Sequence, residues 1–126
     1  MRVRVDGERR GGRLCGLMDG ARLEFVSCAD ADSAHALARA LVDARLAACV
    51  AVQAPQVAYY RWEGAVERAD EVSLVIKTAA DRVEALVEQV VARHGYELPE
   101  VLVVEAVGGL DRYLQWIHAQ TRMPDA

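Results

Sequence analysis

Apolar positions along this chain change their period several times, and each change marks an element boundary. From Ala21, the residues Leu23, Phe25, Val26 and Cys28 form a short strand-compatible run that stops at Asp30-Ala31-Asp32-Ser33. That acidic cluster reads as a helix start, with Asp30 accepting from an orphan amide of the first turn. The helix is expected to run to about Arg45, burying Ala34, Leu37, Ala38, Leu41 and Ala44 and exposing His35, Arg39 and Asp43. Ala47 to Val52 and, past Pro55, Val57 to Trp62 read as one long strand with a bulge or bend at the proline. Glu63-Gly64 supplies a turn, and strand signal resumes at Ala65-Val66-Glu67. Val72, Leu74 and Ile76 then alternate with Ser73, Val75 and Lys77. Thr78-Ala79-Ala80-Asp81 has the spacing of a capping box, and Val83, Leu86, Val87, Val90 and Val91 follow at helical spacing. This helix should stop near Gly95, in the left-handed conformation that glycine favours after a helix end. Val101 to Val107 reads as a β-branched strand closed by Gly108-Gly109, and Leu110 to about Gln120 as a short amphipathic helix.

Strand, helix, strand, strand, helix, strand is the split βαβ order. It predicts an α+β ferredoxin-like sandwich with a long β-hairpin and an extra C-terminal helix. Helices on one face leave the other face of the sheet bare, and the residues expected there (Val26, Val75, Val50 or Val52) are too apolar to favour water. A hairpin longer than the body also exposes edge hydrogen bonds, so a closed cyclic oligomer is expected to cover both.

Composition narrows the class of protein. A chain of 126 residues, 53% apolar and 27% charged, encloses one core and fits a globular domain. Residues 1–20 carry five arginines and five glycines with little apolar periodicity and read as a mobile extension, leaving 21–126 as the domain. A net charge of −4 excludes broad phosphate-backbone binding, so no nucleic-acid partner is expected. The longest apolar run, Leu46 to Val52, is too short to cross a bilayer, so no membrane partner is expected either. The charged start Met-Arg-Val-Arg-Val-Asp-Gly-Glu lacks a secretory pattern, and a cytoplasmic location is expected. Cys15, Cys28 and Cys49 are odd in number and form no C-x-x-C pair, which predicts no structural disulfide.

Leu46-Ala47-Ala48-Cys49-Val50, Tyr60-Arg61-Trp62-Glu63-Gly64 and Ile76-Lys77-Thr78 occur in this order and spacing. His94, Tyr96, Pro99 and Glu100 follow, then Tyr113-Leu114-Gln115-Trp116. Together they resemble the CutA divalent-ion tolerance family over roughly residues 22 to 120. The resemblance implies a homotrimer of ferredoxin-like protomers joined through their hairpins, tolerance of copper and other divalent ions, and no enzymatic activity. Two segments depart from the family pattern: Ser27-Cys28-Ala29 stands where Thr-Cys-Pro is usual, and Gly95 where a proline follows the histidine. Both departures keep Cys28 and His94, which resemble copper-binding positions in family members.

In the split βαβ order Cys28 and His94 fall at one edge of the fold. A thiolate beside a helix N-terminus has a lowered pKa, and thiolate plus imidazole suits copper or zinc. Two donors do not make a stable site, so a third must come from water or another subunit. The plain alternative is a small buried hydrophobe at Cys28 and a histidine cation at a helix C-terminus. Cys49 reads as core, His35 and His118 as solvated, and Glu67, Asp70 and Glu71 as a solvated acidic face. Tyr59, Tyr60 and Trp62 at the hairpin tip read as a subunit contact. A trimeric small-ligand signalling protein of the PII kind is the alternative on the same plan, but no glycine-rich phosphate loop is present. A scaffold without a physiological metal is another. An acylphosphatase-like enzyme needs an asparagine, and the chain has none.

Overall fold

The computed structural model describes residues 20–124; the expected extension over 1–20 lies, but for Gly20, outside the described residues. Strands β1 (Ala21–Cys28), β2 (Cys49–Trp62), β3 (Ala65–Ala79) and β4 (Val101–Glu105) alternate with helices α1 (Ala31–Asp43), α2 (Val83–Arg93) and α3 (Asp111–Gln120). The four strands form one antiparallel sheet in the order β2-β3-β1-β4. This is the ferredoxin-like split βαβ sandwich with the long hairpin and extra terminal helix.

Local chemistry sets the element ends. Asp30 has an extended backbone, and its Oδ1 accepts from the Ser33 amide at 2.8 Å, capping α1 as expected. The helix ends two residues before Arg45. Arg45 adopts a left-handed φ of 59°, the Leu46 amide donates to the Leu41 carbonyl and the Arg45 amide to that of Val42, both at 3.0 Å. That is a Schellman closure built on arginine instead of glycine. Ala44, expected in the buried stripe, is the exposed cap, and the stripe ends at Leu41.

The capping box does not form. Thr78 is still strand, and its Oγ1 donates to the Leu46 carbonyl at 2.6 Å; a 3-10 turn over Ala80–Arg82 leads into α2 with no side-chain cap. Sheet pairing of Thr78 with Arg22 holds its backbone extended, so the hydroxyl cannot reach back to the turn. Gly95 is likewise not left-handed. α2 ends because His94 turns extended (φ −80°, ψ 144°), and Gly64 is the one glycine with positive φ among the described residues.

Glu63 (φ 49°) and Gly64 (φ 85°) form a two-residue turn with both residues left-handed, the geometry that matches strand twist. The register shifts between Val52 and Pro55, as the proline required. β1 meets β3 for the last time at Cys28–Val72. Beyond that rung β2 and β3 pair only with each other, from Gln56–Glu71 to Trp62–Ala65. At ~3.4 Å per residue this free ribbon projects about 20 Å past the sheet.

The core lies between α1, α2 and one sheet face, with Val26, Leu41, Leu74, Ile76, Leu86 and Val90 all fully buried. Val50 and Val52 pack against its margin. Here the structure corrects the expected bare face. Val26 pairs with Leu74, Val50 with Ile76 and Val52 with Leu74, so all three point toward the helices. A one-residue difference in register inverts which face a side chain occupies, and only Val75 of the expected set lies on the opposite side. That side carries Leu23, Phe25, Ala51, Val75, Leu102 and Val104, with Leu102 60% and Val104 43% exposed. α3 closes one end of the sheet through Ile117 against Ala21 and Ala48. A two-pronged Arg122–Asp81 ion pair and a bond from Arg45 Nη1 to the Gln120 carbonyl (3.3 Å) hold it there.

Two fully buried residues of the helix-covered face are polar: Thr78, bonded to the Leu46 carbonyl, and Glu24. Glu24, paired with Ile76 and Val103, is 0% exposed, and neither of its oxygens has a hydrogen-bond partner. Burial raises its carboxyl to a pKa of about 7.

Candidate functional site

Where β1 ends and α1 begins, the last turn of α2 passes close by and leaves a cleft of about 310 Å³. Cys28, Asp30, Leu37, Arg93, His94 and Tyr96 line it, so the fold brings Cys28 and His94 to one place.

Their chemistry differs from the expected thiolate and free imidazole. Cys28 is 3% exposed and belongs to the core cluster. Burial pushes its thiol pKa up, and the carboxylates of Asp30 and Glu71 push it further. The helix N-terminus that should lower it is already capped by the Asp30 carboxylate. Cys28 is therefore a thiol, and the expectation of an activated thiolate is corrected.

His94 has both ring nitrogens engaged. The Tyr96 amide lies 3.1 Å from Nδ1 and can only donate, so Nδ1 accepts. Nε2 lies 2.6 Å from the Ser27 carbonyl, which can only accept, so Nε2 carries the hydrogen. One tautomer satisfies both bonds. The His94 and Tyr96 rings also touch, with centroids 4.8 Å apart.

The Tyr96 hydroxyl donates to Glu71 Oε2 at 3.0 Å. Burial first, and this bond second, raise the phenol to a pKa of about 12, so it remains a donor. The sequence places Glu71 in a solvated acidic run. Its neighbours fit that reading: Asp70 faces Arg68 at 3.9 Å in an exposed pair, and Glu67 is exposed. Glu71 differs because it sits at the ribbon root, one rung beyond Cys28–Val72, where the connection after α2 passes. A Tyr two residues after the histidine was visible in the sequence, but its partner 25 positions away on another strand was not.

The remaining candidates are dispersed. Cys49 is half-buried at the far edge of the sheet, paired with Lys77, and His35 and His118 are exposed. Tyr59 and Tyr60 are exposed on the ribbon. Among the described residues no group of three or more His, Cys, Asp or Glu is arranged to hold a metal ion. A divalent ion at Cys28 and His94 would meet a buried protonated thiol and an imidazole with no uncommitted nitrogen. This donor set does not fit a resident metal.

Residues 23–120 match the family described as CutA1 divalent ion tolerance protein. The chain is 38% identical over 98 residues to the chloroplastic protein CutA of Arabidopsis thaliana, covering 78% of this chain and 54% of that protein. It thus spans about half the length of that plant relative. It is 37% identical over 99 residues to the divalent-cation tolerance protein CutA of Pectobacterium atrosepticum, covering 77% of this chain and 90% of that one. The crystal structure of CutA from Xylella fastidiosa superposes with a TM-score of 0.79 at 41% identity, covering 81% of this chain and 98% of that chain. No helix among the described residues is long and apolar enough to cross a membrane. With its strand order, hairpin and terminal helix in place and 98 matched residues, the chain belongs to the CutA1 divalent ion tolerance protein family.

Proposed function

We propose that this chain works as a cytoplasmic homotrimer in the tolerance of, or response to, divalent cations, and that it does so by binding and assembly, not by catalysis. The observation that carries the reading is the incompleteness of the single protomer. Leu23, Phe25, Val75, Leu102 and Val104 form an apolar sheet face without a helix over its centre, and a two-stranded ribbon reaches past the body. The exposed edges are two different strands, β2 and β4. Contacts between unlike edges are head-to-tail, and head-to-tail contacts that close make a ring. Three copies is the number implied by the family resemblance. A reducing compartment suits Cys28 and Cys49, which are both free.

Uptake of copper or another divalent ion at Cys28 and His94, expected from the family likeness, would need rearranged imidazole bonds and a third donor. Light scattering of tag-free protein, with zinc or copper titrated in, tests the proposal. The expected mass is about three times the 13.8 kDa of one chain. A well-folded particle of one chain's mass would refute it.

A further inference from the structure

We infer that His94 is a two-sided strut of the resting fold, and that a cation reaches its imidazole only by taking the strut apart. The bonds form one unbroken series. Ser27 at the end of β1 accepts from Nε2 (2.6 Å), Nδ1 accepts from the Tyr96 amide (3.1 Å), and the Tyr96 hydroxyl donates to Glu71 on β3 (3.0 Å). The His94 amide is also bound, donating to the Val90 carbonyl at 2.9 Å. The connection after α2 is thereby fixed at both ends, to the strand that closes the core and to the root of the ribbon.

This arrangement separates two kinds of metal response. A preformed seat would present a free ring nitrogen beside an ionised thiol and would fill without disturbing its surroundings. Here capture through Nδ1 forfeits the Tyr96 amide bond, and capture through Nε2 displaces both a proton and the Ser27 bond. The inference depends on neither the trimer nor the tolerance reading, because it concerns the bonds of one protomer. It stands if the particle mass fails the test above.

The experiment is ring 15N and amide hydrogen-exchange NMR on the full chain, with zinc as the probe ion. In metal-free protein His94 should show hydrogen on Nε2 and none on Nδ1. At one equivalent of zinc its ring signals should stay in place, and any shift at higher zinc should come together with lost protection of the Tyr96 amide. A stoichiometric shift of the His94 ring with the Tyr96 amide still protected would overturn the inference, as would hydrogen on Nδ1 in the metal-free state. Two variants separate the arms of the strut without metal. His94→Asn keeps an acceptor where Nδ1 lies, so Tyr96 amide exchange should stay within a few-fold. His94→Gln keeps only a donor reaching Ser27, and the same amide should exchange about tenfold faster, as expected for one lost hydrogen bond. Equal exchange in the two variants would also overturn it. Should either variant fail to fold, the wild-type measurement decides alone.

Discussion

Replacing Glu24 by Gln should change how the stability of this protein depends on pH. The folded chain buries this carboxyl completely and gives it no partner, and its pKa rises from 4.5 to about 7. The folded state therefore holds the proton more tightly than the unfolded state does. The stabilisation is fully present below pH 4.5, declines as pH rises and is gone above about pH 7. At ~1.4 kcal/mol per tenfold, the gap between 4.5 and about 7 corresponds to about 3 kcal/mol. That is a large share of a typical folding free energy of ~5–15 kcal/mol. Glutamine has the same shape and cannot ionise, so the variant and the parent should be nearly equal at pH 4.5. By pH 8 the variant should be more stable by about 3 kcal/mol. Urea unfolding at matched chain concentration, repeated from pH 4.5 to 8.5, reads this difference directly. Asp30 and Asp81 have lowered pKa values and act in the opposite sense at more acidic pH, and both proteins share them, so they cancel. Parallel pH profiles for the two proteins would show that Glu24 finds a partner or water in solution and that the reasoning is wrong.

Four further outcomes follow from the same structure. Thr78→Val keeps the shape of a buried residue but strands the Leu46 carbonyl, and should cost about 2 kcal/mol in chemical unfolding; no loss would mean that the 2.6 Å bond is not made. Arg45→Gly relieves a left-handed arginine at the end of α1, and a gain of up to ~1 kcal/mol is expected, reduced by loss of the bond to Gln120. Asp81→Asn weakens the clamp on α3, but the pair is partly exposed, so thermal melting should register less than ~1 kcal/mol. Leu102→Asp puts a charge on the bare sheet face at a site 60% exposed in the protomer, and should reduce the scattering mass to one chain while far-ultraviolet dichroism is retained. An unchanged mass there would remove the open face from the assembly.

Strand order and most features set by a few adjacent residues were legible before the structure, whereas which face is covered and where particular side chains bond were not. The Asp30 cap, the Leu37–Leu41 stripe, the bend at Pro55 and the Glu63-Gly64 turn depend on a few adjacent residues, and each is present. Thr78 shows the opposite case. Its spacing to Asp81 satisfies a capping rule, but β3 runs on to Ala79 and the hydroxyl serves a carbonyl 32 positions away. Val26, Val50 and Val52 lie on the helix-covered face and not the open one, because alternation shows that two faces exist without saying which is covered. At the cleft, Cys28 and His94 could be brought together from strand order alone. Their protonation could not, because it is set by the Ser27 carbonyl, the Tyr96 amide and two carboxylates that the chain brings in from three separate segments.

The cleft and the ribbon are mechanically one feature, and the register shows why. Cys28 and Val72 form the final rung between β1 and β3, and Glu71, which holds Tyr96, belongs to the first rung of the free ribbon. A two-stranded ribbon has little stability of its own, so its root is where bending is concentrated. Two constraints meet at that root. The register shift between Val52 and Pro55 interrupts the ladder on the β2 side, and the Tyr96–Glu71 bond ties the β3 side to the body of the protomer. In a ring assembled through such ribbons, the direction in which each ribbon leaves its protomer fixes whether the ring can close. His94 is thus tied to the ribbon root by two hydrogen bonds in series, from the Tyr96 amide to Nδ1 and from the Tyr96 hydroxyl to Glu71, while its Nε2 holds the end of β1.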